Sequence, residues 1–171
     1  HPDAFMRIDR LAFVALSSLA LKAANAQCLP SIQKLVDDDK FDEARSEVQA
    51  LLAKNEKDDA ALHCMGRIYM EMDKPGDAIG WFEKSVAASD KLSSHHLWLA
   101  NALGAQAPHT NRLKLPFLAR RVKSEFDKAV ALDSSSVDAR RGLVMFYSQA
   151  PGMLGGDVNK AKAQAREILK L

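Results

Sequence analysis

Shifted by 34 positions, this chain falls on itself: residues 32–56 land on residues 66–90. Phe41, Asp42, Glu43 and Ala44 then meet Pro75, Gly76, Asp77 and Ala78, while Leu35 meets Tyr69 and Val48 meets Phe82. A fixed period of this length marks a repeated supersecondary unit that cannot bury its apolar face alone. Such units must stack, and each touches only its neighbours. Composition agrees with helical units, because glycine (8) and proline (6) are few in 171 residues. With 47% hydrophobic and 27% charged residues the chain reads as globular. A net charge of +2 lacks the basic excess of a dedicated nucleic-acid binder.

The second unit carries the pattern most clearly, in Leu62, Met65-Gly66, Tyr69, Ala78 and Phe82. These spacings resemble those of the tetratricopeptide repeat (TPR) family. Small residues at Gly66 and Ala78 suit a close helix crossing, with Tyr69 and Phe82 filling the space around it. Pro75-Gly76 is expected to break the chain between the two helices. A third unit has Leu99, Ala100 and Leu103 on its first helix and Phe126 and Ala129 on its second, with about ten extra residues around 106–116. Its small position is occupied by Val122, which predicts a looser or shifted crossing. The fourth unit, from about Val137, has Leu143 and Tyr147, a long glycine-rich turn, and Ala161 at the small position. That turn, Ala150-Pro151-Gly152-Met153-Leu154-Gly155-Gly156, is similar to one in bacterial exported TPR proteins. Ser93 or Ser94, Ser134 to Ser136, and Asp157 are the expected helix caps. The resemblance implies an all-α, TPR-like solenoid of about four hairpins, a right-handed superhelix spanning residues 27–171.

Residues 1–26 read as an N-terminal extension and secretory signal peptide. A basic start (Met6, Arg7, Arg10) precedes an apolar run from Leu11 to Leu21, and Ala24-Asn25-Ala26 predicts cleavage before Gln27. The run is short for a bilayer span, so the mature chain is expected to have no transmembrane segment. Export predicts a periplasmic or secreted protein. In that oxidising setting Cys28 and Cys64 can form a disulfide or remain two small buried thiols. Cys28 falls where the next unit has Leu62, which favours a core role.

Catalytic and metal patterns are missing from the sequence. His63-Cys64 and His95-His96 lack zinc spacing, and adjacent helical residues diverge by about 100°. They read as surface or groove histidines, with a redox or metal-responsive role for them and the cysteines as a lesser reading. The 152–156 glycines lack the Lys-Ser/Thr ending of a phosphate loop and suit a broad turn. No cofactor is expected, and the chain reads as a non-enzyme.

The resemblance implies a scaffold that binds a peptide or protein segment along the groove lined by first helices. The implied groove positions are His63, Arg67, Met70, Glu71, Leu97 and Asn101. The carboxylate clamp of chaperone-binding TPR proteins is not reproduced, since Leu29 and Gln33 stand at its places. A basic edge of Arg112, Lys114, Arg120, Arg121 and Lys123 contains no acidic residue and offers docking to an acidic segment or to lipid phosphates. The apolar end at Ile168, Leu169 and Leu171 predicts, alternatively, a self-assembling protein that oligomerises through its terminal hairpin.

Overall fold

A computed structural model describes residues 28–171; the predicted signal peptide of residues 1–26 lies outside them. Eight α-helices follow in order: α1 (Pro30–Asp37), α2 (Phe41–Lys54), α3 (Asp59–Glu71), α4 (Pro75–Ala88), α5 (Ser93–Gln106), α6 (Leu115–Leu132), α7 (Val137–Gln149) and α8 (Val158–Ile168). Short 3-10 turns at Ala107–His109 and Gly152–Leu154 occupy the two places where the repeat was lengthened. Consecutive helices pair into four hairpins. The first helices of successive hairpins (α1, α3, α5, α7) also touch one another, forming one layer. No strand occurs among the described residues.

Helix boundaries follow local chemistry, with two departures from expectation. Pro75 does not break the chain; it opens α4 at a position where its missing N–H costs nothing. The reversal lies just before it, at Asp73 (φ 56°), and its repeat-mate Asp39 (φ 59°) does the same before α2. Ser93 does not cap α5. Its hydroxyl donates instead to the Ala129 carbonyl at 2.8 Å, tying α5 to α6. Ser94 does not cap α5 either; the other expected caps are present. Ser136 Oγ accepts from the Ala139 N–H, and Asp157 accepts from the Asn159 and Lys160 N–H groups. Asp58 caps α3 in the same way, accepting from Ala61. In the long turn, Gly155 takes φ 103°, and a side chain on Gly156 would strike the Ala150 carbonyl.

Two apolar clusters fill the stack. Ile32, Val48, Met65 and Ile68 form the first; Phe82, Leu99, Leu103, Phe126 and Leu143 form the second; Tyr69 packs against both. The close crossing expected at Gly66 is present, since a Cβ there would lie 2.6 Å from the Phe82 ring. In the third hairpin Val122 fills the small position, and the Phe126 ring lies over Gly142 of the next hairpin, closer still. The aromatic that closes its own hairpin in the second unit therefore joins two hairpins in the third. Gly142→Ala should lower unfolding free energy by about 1–3 kcal/mol, because a buried ring must leave its rotamer to admit one methyl. Urea denaturation of the two proteins would measure it, and equal midpoints would rule out the close contact.

Candidate functional site

The implied groove residues divide into two sets once their surroundings are known. His63 is only 1% exposed and is not a groove ligand. Its ring stacks on His95 of the next first helix, centroids 5.1 Å apart, and meets the Phe82 and Trp98 rings edge-on. His95 and His96 are buried as well, so the expectation of surface histidines is corrected for all three. The reason is the stacking of α3 on α5, which encloses side chains that a single helix would leave open.

Arg67, Met70, Leu97 and Asn101 remain half-buried on α3 and α5, and Glu71 is exposed at the end of α3. The Arg67 guanidinium carbon lies 4.6 Å above the Trp98 ring, a cation–π stack that bridges two hairpins. Its Nε is buried with no hydrogen-bond partner. Burial lowers the pKa of this group, opposed by the nearby carboxylates of Glu71 and Asp37. A half-buried guanidinium held flat by a neighbouring helix is suited to gripping a carbonyl or carboxylate on an incoming chain.

Beneath this face the histidines form a network. His95 Nδ1 meets the Ser89 carbonyl at 3.1 Å, and its Nε2 is 3.7 Å from the Asp59 carboxylate. His96 offers one nitrogen to Glu125 at 2.6 Å and the other to the Asp90 carbonyl at 2.9 Å. Burial would raise the Glu125 pKa, but hydrogen bonds from His96 and Lys128 hold it below the ordinary value. His63 is pushed down to about 3, mainly by burial and then by His95 and Arg67; His95 is lowered too, again by burial. Both therefore bind protons less readily folded than unfolded. The stabilising contribution of both is complete above about pH 6.5 and is lost as pH falls from there, for His63 towards 3. The expected slope is at most about 1.4 kcal/mol per pH unit for each histidine. Thermal melts from pH 7 to 4 should show it, and His63→Leu should flatten the profile. A variant as pH-sensitive as the wild type would contradict the assignment. Among the described residues no group of three or more His, Cys, Asp or Glu is placed to hold a metal ion.

The basic edge is less free than its sequence implies. Arg121 donates to Glu83 of α4 at 2.6 Å and Lys123 to Asp127 at 2.6 Å. Arg112, Lys114 and Arg120 are exposed, and no ion pair is formed by them among the described residues. Cys28 and Cys64 are bridged, with Cα atoms 5.1 Å apart, and the bridge ties the start of α1 to α3.

One feature escaped the sequence altogether. Between α5, α6 and α7 lies an apolar cavity of about 680 Å³, walled by Leu118, Val122, Phe126, Phe146 and Leu154. Asn101, one of the implied groove residues, lies on its wall. The signal that could have found it is the pair of lengthened connections, which both border it.

No family model and no curated protein matches the sequence. Solved structures do resemble it. MamA superposes with a TM-score of 0.66 at 20% identity, over 83% of this chain and 74% of its own. TTC0263, a thermophilic TPR protein of Thermus thermophilus, gives a TM-score of 0.69 at 19% identity, over 84% of this chain and 72% of its own. The described part of this chain has the tetratricopeptide-repeat fold.

Proposed function

We propose that this protein is a protein-interaction scaffold that holds a peptide or protein segment along the layer of first helices, in the bacterial cell envelope. The observation that carries this reading is Arg67, half-buried with its guanidinium stacked on Trp98. Met70, Leu97 and Asn101 extend the same surface with apolar area and an amide, and Glu71 closes it with a negative charge. Arginine and aromatic anchors of this kind dominate binding energy where partners meet. The likeness to a TPR protein supports a scaffold, and the pattern from Met6 to Ala26 supports export. No residue is assigned a catalytic role. Among the described residues no helix is long and apolar enough to cross a membrane.

The test is capture from an envelope extract by the wild-type chain and by Arg67→Ala/Glu71→Ala, with circular dichroism as a check on folding. A partner held by the wild type should lose about tenfold or more in affinity for the variant. Equal capture by a folded variant would move the interface off this face.

A second reading has its own observation. Leu169 is 87% exposed and Leu171 63%, which leaves apolar surface beside α8 for a second copy of the chain. Self-association through that hairpin predicts a concentration-dependent dimer in sedimentation, abolished by Leu169→Asp. A monomer at all concentrations removes this reading.

A further inference from the structure

The outer side of α6 carries a stripe that folding leaves uncovered. Leu115, Leu118, Ala119 and Val122 wall the apolar cavity on the inner side of the helix. Phe117 and Arg120 come out on the other side, one turn apart, and both are exposed. Lys114 lies one turn before Phe117. Leu113 stands beside it in a turn closed by the Lys114 N–H, which donates to the Asn111 carbonyl at 2.9 Å. Leu113 is 83% exposed and Phe117 68%. Cations and large apolar side chains therefore share one stripe along the start of α6.

The topology adds to this patch. α5 ends and α6 begins at one end of the stack, and α7, antiparallel to α6, ends there too. The Gly152–Leu154 turn that follows α7 packs on α6, and its Met153 is 92% exposed. Charge at the stripe has one sign, since residues 91–124 include no Asp or Glu. Glu83 and Asp127, which approach from outside that stretch, are paired with Arg121 and Lys123. Arg112, Lys114 and Arg120 form no ion pair among the described residues.

What covers such a surface must suit both kinds of side chain. Leu113, Phe117 and Met153 line neither the cavity nor the hollow between Arg120 and Asp127. They project into solvent where a peptide socket would be hollow. A second copy placed on the stripe by a twofold axis would set cations against cations. A bilayer surface needs no matching shape, takes apolar side chains below its headgroups, and offers anionic phosphates to Arg and Lys.

We infer that the start of α6 and the Gly152–Leu154 turn dock this protein on an anionic membrane surface. Leu113, Phe117 and Met153 enter the interface, and Arg112, Lys114 and Arg120 engage lipid phosphates. The contact is separate from the proposed groove on α3 and α5 and does not depend on it. So few insertions and cations give reversible, salt-dependent binding, not permanent anchoring.

Co-sedimentation of the full chain with vesicles tests this, using phosphatidylcholine alone and an equal mixture with phosphatidylglycerol. Binding is expected to the mixed vesicles only, and it should weaken as salt is added. The substituted positions are exposed, so circular dichroism should show the wild-type fold in every variant. Arg112→Glu/Lys114→Glu should lower the partition coefficient about twentyfold or more, at about fivefold per cation removed. Phe117→Ser/Met153→Ser should lower it about tenfold or more. Phe117→Trp gives a local readout against the baseline of Trp81 and Trp98 in the wild type. Its added emission should shift to the blue on mixed vesicles and be quenched by brominated lipid.

Failure to bind the mixed vesicles overturns the inference. An Asp/Glu-rich peptide that then binds the wild type, and not the charge-reversed variant, would make the occupant a polypeptide. Binding that no variant reduces, with Phe117→Trp unquenched, would mean attachment elsewhere, such as residues 11–21, and would also overturn it. Loss on charge reversal with no effect of Phe117→Ser/Met153→Ser would leave charge attraction without insertion, and the inference falls again.

Discussion

Phe82→Ala should lower unfolding free energy by about 3–5 kcal/mol, the range for emptying a buried aromatic site. Phe82 is fully buried, and its ring fills the space that Gly66 leaves open across the hairpin. It also lies 5.4 Å from the His63 ring and 6.1 Å from the Trp98 ring, so it joins α3, α4 and α5 at one point. Few other side chains can fill the void, because Gly66 has none and Ala78 beside it is small. Water entering there would reach His63, whose depressed pKa depends first on burial. The variant should therefore lose part of the acid sensitivity predicted for the wild type, as well as stability. Urea unfolding at pH 7 and at pH 5 would read both effects together. A loss below about 1 kcal/mol, with the pH dependence unchanged, would mean that Phe82 is not the junction. Phe82→Leu is the control, expected to cost less because it keeps most of the volume.

How much of this was legible in the sequence depends on how local each cause is. The hairpins were readable because small and large residues recur at a fixed spacing, and Gly66 with Phe82 meets through one turn. Caps set by a side chain and the next backbone N–H groups, as at Ser136 and Asp157, were readable for the same reason. Ser93 was misread because its hydroxyl is used by a carbonyl 36 residues away, at Ala129. Arg121 looked unpaired until folding brought Glu83 to it from 38 residues upstream. His63 looked like a groove residue because its neighbours on α3 leave it open; His95 arrives from α5 to cover it. The cavity is the extreme case. It consists of side chains that are too small, and a void is written only as the absence of a residue large enough to fill it.

Reducing the Cys28–Cys64 bridge should cost up to about 4 kcal/mol, the loop-closure entropy of a cross-link spanning 36 residues. The loss should begin locally. The first helix, α1, has eight residues and no side-chain cap, so it is too short to persist without its packing. Once Cys28 is released, α1 is held chiefly by Ile32 and Val36 against the first cluster. Hydrogen exchange under reducing conditions should show α1 opening at lower free energy than α3, and urea midpoints with and without reductant give the total. Unreduced, denatured protein should titrate no free thiol; two reactive thiols would show that the cysteines are unbonded in solution. The consequence reaches the proposed groove, because Asp37 at the end of α1 is one of the two carboxylates that support the Arg67 charge. A frayed α1 removes that support and leaves Glu71 alone to balance the guanidinium. Partner affinity should then change on reduction even though neither cysteine belongs to the implied groove. An affinity indifferent to reductant, with α1 shown to be open, would separate the groove from the first hairpin.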